Sequence, residues 1–126
     1  MANELILVVE DNEKNRRLAR DVLQVKGYRV VDADSAEAGL ACVAEQKPDL
    51  ILMDIHLPGM NGIEALKKLR ADPATAAIPV LAFTASVMPQ DRSEIMAAGF
   101  DGFVAKPISL KEFFGTIATV LAKGPA

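Results

Sequence analysis

The sequence predicts an α/β fold, a parallel five-stranded sheet with helices on both faces, and three observations carry that expectation. Five short apolar runs recur along the 126 residues, each followed by a segment with helical spacing. The connections between them are short and rich in Gly, Pro, Asn and Asp. One run, Leu50 to Met53, is unbroken and too short for a useful helix, the pattern of a central strand buried on both faces. Strand–helix alternation repeated five times builds one parallel layer, with right-handed crossovers carrying the helices to its faces.

Taken in order, Leu5 to Val9 is the first strand, closed by Glu10-Asp11-Asn12. Asn12 is placed to cap the next helix, where Leu18, Ala19, Val22, Leu23 and Lys26 fall three and four residues apart. Gly27 stops that helix, and Arg29 to Ala33 is the second strand. Asp34 or Ser35 caps a second helix running to about Gln46, in which Cys42 reads as a small core residue. Lys47-Pro48 breaks it ahead of the central strand, which ends on Asp54. Pro58, Gly59 and Gly62 turn the chain into a helix from Ile63 to Ala71, with Ile63, Leu66 and Leu69 on one stripe, and Asp72-Pro73 ends it. Val80 to Phe83 is the fourth strand and ends on Thr84. Ala85-Ser86-Val87 is a loop, and Pro89 sits in the first turn of a helix that closes at Gly99. Asp101 to Ala105 is the last strand, Lys106-Pro107 follows, and Ser109 caps the final helix from Leu110 to about Ala122. A single domain over 1–126 is expected, with an ordered core over about 4–122.

Composition excludes several classes of function. Hydrophobic content of 51% against 25% charged residues is ordinary for a soluble globular protein. No apolar run approaches the roughly 18 residues of a membrane span, and Met1-Ala2-Asn3-Glu4 lacks the features of a secretory signal. One cysteine cannot form an internal disulfide, so a reducing, cytoplasmic setting is expected. A net charge of −3 without a basic block argues against a nucleic-acid surface. No G-x-G-x-x-G or P-loop follows the first strand, which argues against nucleotide binding.

In such a sheet every strand's carboxyl end lies on the same edge, where ligands bind in open α/β folds. The residues at those ends are Glu10 and Asp11, Asp54, Thr84 and Lys106. Any one of them alone is a rim residue or a helix cap; five at matched positions are harder to attribute to solvation. Three carboxylates in one cleft repel one another, and a divalent cation resolves the repulsion. Oxygen donors without cysteine or a second histidine favour Mg²⁺. Acids, a cation, an ammonium and a hydroxyl together suit a phosphoryl group, with Asp54 as nucleophile forming an acyl phosphate.

Val9-Glu10-Asp11-Asn12, Asp49 through Gly62, Ile78-Pro79-Val80 with Thr84-Ala85, and Lys106-Pro107-Ile108 resemble the receiver domain of two-component response regulators. The resemblance spans essentially the whole chain. It implies a flavodoxin-like fold, strand order 2-1-3-4-5, and a phosphoryl group received from a histidine kinase or histidine phosphotransferase. By motif, Asp54 is the phosphoacceptor, Asp11 with Glu10 holds Mg²⁺, and the backbone carbonyl of His56 is a further metal ligand. Thr84 and Lys106 contact the phosphoryl oxygens, and Lys106–Pro107 is a cis peptide. Phe103 occupies the place of an aromatic switch residue. Lacking the hydroxyl of the commoner tyrosine, it would switch by burial and packing alone, or simply fill space between the last two helices. The resemblance also implies a downstream protein partner on the face of the fourth helix, fifth strand and fifth helix, and a monomer or weak dimer. Such a protein assists its own phosphorylation and dephosphorylation and is not a conventional enzyme.

Individual residues keep two readings each. The His56 side chain, two residues past Asp54, either tunes the life of the acyl phosphate or is a solvated rim residue; Ser86 stands in the same position relative to Thr84. Phe100, Phe103, Phe113 and Phe114 either pack the core or form an apolar partner surface, and Phe113 and Phe114 fit one wide stripe with Leu110, Ile117 and Leu121. Asn15 and Arg16 lie near the kinase-facing rim or on a solvated helix face. Among other classes, a flavodoxin needs a phosphate-cradling loop where this chain has the acidic Glu10-Asp11-Asn12-Glu13. A haloacid-dehalogenase-like phosphatase needs a second acid two residues after its aspartate, where Asp54-Ile55-His56 has none. A stand-alone receiver is expected. The alternatives are a receiver excised from a hybrid kinase or larger regulator, and a phosphorylation-independent binding module.

Overall fold

The computed structural model describes residues 3–85, 89–106 and 108–123. Ten elements alternate along the chain: β1 (Leu5–Val9), α1 (Glu13–Val25), β2 (Arg29–Ala33), α2 (Ala36–Glu45), β3 (Leu50–Asp54), α3 (Gly62–Ala71), β4 (Val80–Thr84), α4 (Pro89–Ala98), β5 (Gly102–Ala105) and α5 (Leu110–Lys123). The strands form one parallel sheet in the order β2-β1-β3-β4-β5, the flavodoxin-like order. β1, β3 and β4 are buried along their whole length, which is why their sequences run apolar without alternating.

Each face of the sheet carries its own core. Leu7, Val9, Ile51, Met53, Val80 and Ala82 pack with Val43, Leu66 and Ile95 of α2, α3 and α4. The alternate strand residues Ile6, Val8, Leu50, Leu52, Leu81 and Phe83 pack with Ala19, Leu23, Phe113 and Ile117 of α1 and α5. The period-two alternation of strand side chains divides the apolar residues between two helical layers.

Helix boundaries follow local chemistry. The Asn12 side chain accepts from Asn15 N, and Ser35, rather than Asp34, caps α2 by accepting from Ala38 N at 3.1 Å. α3 opens with a reciprocal capping box between Asn61 and Glu64, which the Asn-x-x-Glu spacing encodes. Gly27, at φ 96°, takes the left-handed conformation that ends α1. Three expected stripe residues lie outside the core: Leu18 is 48% exposed, Leu110 is 55% exposed, and Lys26 is exposed as well. The buried line of α1 is Ala19 to Leu23, one turn apart, and Leu18 stands about 100° to its side. Leu110, the first residue of α5, precedes the buried line Phe113, Ile117 and Val120. Of the four clustered phenylalanines, Phe100 and Phe113 are buried, whereas Phe103 and Phe114 are half-buried. Cys42 packs partly buried against the core.

The amino ends of the strands are joined by polar side chains. Asp49 Oδ2 accepts from Leu5 N at 2.8 Å, linking β1 to the start of β3. Arg70 donates to the carbonyls of Ala76, Ile78 and Gly99 and to Asp101 Oδ2, which also accepts from Val80 N at 2.8 Å. Among the described residues no helix is long and apolar enough to cross a membrane.

Candidate functional site

The carboxyl edge of the sheet gathers the expected residues. Glu10 follows β1 and is completely buried, Asp54 ends β3 at 3% exposure, and Thr84 ends β4 at 1%. Asp11, in the turn into α1, is exposed. One carboxylate oxygen from each of Glu10, Asp11 and Asp54 lies within 4.8 Å of the other two. Lys106 enters from the end of β5, its N–H donating to Thr84 O at 2.9 Å. Its ammonium lies 3.2 Å from Asp54 Oδ2, pairs with Glu10 Oε1, and sits 4.8 Å from the centre of the Phe83 ring.

Backbone groups hold the carboxylates in place. Asp54 Oδ1 accepts from His56 N and Glu10 Oε2 from Asn12 N, both at 3.0 Å. Gly62 lies so close under Asp54 that a Cβ there would meet the Asp54 carbonyl oxygen at 2.4 Å. Its role is this close approach rather than a special backbone angle, since its φ is not positive.

Burial pushes the Glu10 carboxyl up from 4.5 to about 7; Lys106 and the Asn12 N–H oppose the shift and neighbouring Asp54 adds to it. Three carboxylates against one ammonium leave the cluster with excess negative charge. The donors are all oxygens, so the group that fits is a hard dication.

A cleft of about 600 Å³ opens onto this edge, with Asp11, His56, Thr84, Asp91 and Glu94 among its walls. Asp54 and Lys106 lie deeper, their side chains 5% and 16% exposed. The His56 side chain is exposed on the cleft wall, while its N–H serves Asp54. Phe103 stands apart from the acids, packed against the core with the Arg92 guanidinium 4.9 Å from its ring centre. Ser86 and Pro107, and with Pro107 the expected cis peptide, lie outside the described residues.

Sequence reasoning left three contributors at the edge without a role there. Phe83 reads only as a core residue of β4. Asn12 reads as a helix cap, which it is, but its N–H also holds Glu10. Arg16, read as a rim or solvated residue, donates from Nη1 to the Glu10 carbonyl at 3.0 Å, and no spacing rule announces that bond.

A parallel 2-1-3-4-5 sheet with three acids, a hydroxyl and a lysine at its carboxyl edge is the architecture of a two-component signalling module, and the chain belongs to the response regulator receiver domain family, whose profile matches residues 6–118. The polar-differentiation response regulator DivK of Brucella ovis is 40% identical over 116 residues, covering 92% of this chain and 94% of that protein. Chemotaxis protein CheY4 of Vibrio cholerae superposes with a TM-score of 0.88 at 28% identity, covering 94% of this chain and 99% of that one. The receiver domain of a sensor histidine kinase of Pseudomonas aeruginosa superposes at 0.87 with 30% identity, covering 96% and 99%, and carries a magnesium ion coordinated in its active-site cleft. Receiver domains are signalling proteins of two-component systems, which work with histidine kinases or phosphotransferases and downstream partners.

Proposed function

We propose that this receiver accepts a phosphoryl group on Asp54 from a phosphohistidine of a histidine kinase or histidine phosphotransferase, with Mg²⁺ held by Glu10, Asp11 and Asp54. The observation that carries this reading is the buried Asp54 carboxylate at the end of the central strand, with two further acids within 4.8 Å and the Lys106 ammonium at 3.2 Å. Burying like charges together costs stability that the sheet does not need, so a ligand that neutralises them explains the arrangement. The magnesium in the Pseudomonas receiver supports the choice of metal. The His56 carbonyl is a further ligand in this reading. Once bound, the dication would supply charge neutralisation for the phosphoryl oxygens.

An Asp54 carboxylate oxygen attacks phosphorus, the phosphorus–nitrogen bond breaks, and the imidazole leaves and takes up a proton. Lys106 offsets the charge between an anionic nucleophile and an anionic donor. Thr84, on the cleft wall, hydrogen-bonds a phosphoryl oxygen. Drawing Thr84 and Lys106 toward the new group strains the paired ends of β4 and β5. That shift biases Phe103, α4 and α5 toward a partner-binding state. Phe103 has no hydroxyl to re-bond, so its two positions differ by packing against the core and Arg92.

The downstream partner then binds the α4–β5–α5 face of a cytoplasmic monomer or weak dimer. The 94% coverage of the DivK relative supports a single-domain role over 1–126, and the kinase-derived receiver supports the alternative of a domain within a hybrid kinase. The length of the native gene product separates the two.

Intact-mass spectrometry with acetyl phosphate tests the chemistry. A gain of one phosphoryl group that requires Mg²⁺, is labile to hydroxylamine and is lost in Asp54→Ala is the expected result. Absence of the adduct, together with no response to beryllofluoride or Mg²⁺, would leave a phosphorylation-independent binding module.

A further inference from the structure

Arg16 makes an unusual use of a helix-surface cation. It lies in the first turns of α1 with its side chain 21% exposed, and its Nη1 donates to the Glu10 backbone carbonyl at 3.0 Å. Its Nε faces Asp32 Oδ2 at 3.8 Å, and Arg20 Nη1 approaches the same oxygen at 3.4 Å from one turn further along α1. Asp32 belongs to β2, whose last residue, Ala33, accepts the Glu10 N–H at 3.0 Å. The Glu10 backbone is therefore held at both ends, its N–H by β2 and its C=O by a guanidinium anchored on β2. The Glu10 carbonyl belongs to the peptide plane that leads into Asp11, so fixing it fixes where the exposed Asp11 carboxylate starts.

We propose that Arg16, braced by Asp32, is a positioning residue for the acidic turn, holding the Glu10–Asp11 peptide so that both carboxylates meet a dication together. This inference rests on the proposed Mg²⁺ site. Charge alone predicts the opposite behaviour: a guanidinium beside a dication site repels the dication, and deleting it would tighten binding. Orientation by a neighbouring hydrogen bond strengthens metal binding, and deleting it loosens the site. The sign of the effect separates the two.

The test is a Mg²⁺ titration by calorimetry on the whole chain, with circular dichroism as the check on folding. Arg16→Ala weakens Mg²⁺ about tenfold, Arg16→Lys falls between it and wild type, and Asp32→Asn weakens binding about threefold. Arg20→Ala, which removes the same charge one turn away without touching the Glu10 carbonyl, changes the affinity less than about twofold. Saturating Mg²⁺ restores acetyl phosphate labelling of Arg16→Ala, as loss of cation positioning requires. Unchanged or tighter binding in Arg16→Ala would overturn the proposal, as would an equal loss in Arg20→Ala. Should Arg16→Ala lose its fold, weaker binding in both Arg16→Lys and Asp32→Asn supports the proposal, and unchanged binding in both overturns it. A wild type that binds no Mg²⁺ would overturn the metal reading itself along with this one.

Discussion

The two edges of the sheet are built from the same residue types and have opposite character. At the amino edge, Arg70 gives its donors to three backbone carbonyls and to Asp101, and Asp101 and Asp49 accept strand N–H groups. Acid and base there complete a hydrogen-bonding pattern that the sheet leaves open at its strand starts. At the carboxyl edge, three acids cluster and the Lys106 ammonium pairs with two of them, Glu10 and Asp54, while the wholly buried Glu10 is pushed up to about 7. Charge at the first edge is satisfied by the fold. At the second it is left in excess, which is what the proposed dication would complete.

The largest effect expected from breaking this contrast is on phosphoryl transfer. Lys106→Met removes the ammonium that pairs with Glu10 and Asp54, and labelling of Asp54 by acetyl phosphate at saturating Mg²⁺ slows roughly 100-fold. Arg70→Ala, the deletion of an equal charge at the other edge, leaves that rate within about twofold. Rates followed by intact mass over time check both. Equal slowing by the two variants would show that the edges are not distinct in function.

A second effect is read in stability against pH on metal-free protein. Folding raises the Glu10 carboxyl from 4.5 to about 7, so between those values the folded state binds more protons than the unfolded one. Stability therefore falls as pH rises from about 4.5 through about 7. Urea unfolding from pH 4.5 to 8 measures the slope, and Glu10→Gln, which cannot ionise, lacks that component. The same variant binds Mg²⁺ more weakly. In wild type, Mg²⁺ affinity weakens as pH drops below about 7, because the cation must displace the Glu10 proton.

The contrast also explains what the sequence makes legible. Strand ends are marked by a change from apolar to polar, so Glu10, Asp11, Asp54, Thr84 and Lys106 are readable as a set once the strands are parallel. The two-layered core follows for the same reason, from runs such as Leu50 to Met53 that tolerate no solvent on either face. Arg70 and Arg16 are not readable in this way. Each acts through a long side chain on backbone oxygens six or more residues away, and neither the Arg70–Asp101 pair nor the Arg16–Glu10 bond leaves a periodic trace. Gly62 is legible as a turn residue, but its contact with the Asp54 carbonyl depends on how β3 meets α3. Leu18 and Leu110 mislead because spacing fixes a helix face and not how much of that face the sheet covers.

The smallest effect sharpens the comparison from the amino edge. Arg70→Ala strips donors from the carbonyls of Ala76, Ile78 and Gly99 and leaves the Asp101 carboxylate, among the described residues, with the Val80 N–H. The Arg70 side chain is 26% exposed, so water replaces part of what is lost, and the cost is about 2 kcal/mol in urea unfolding. The loss should be the same with and without saturating Mg²⁺, because nothing Arg70 touches lies at the acid cluster. Glu10→Gln should behave in the opposite way, since in the proposed metal site Mg²⁺ would stabilise wild type through Glu10 and the variant less. If the cost of Arg70→Ala instead changed with Mg²⁺, the two edges would be coupled through the sheet, and the amino edge would take part in signalling.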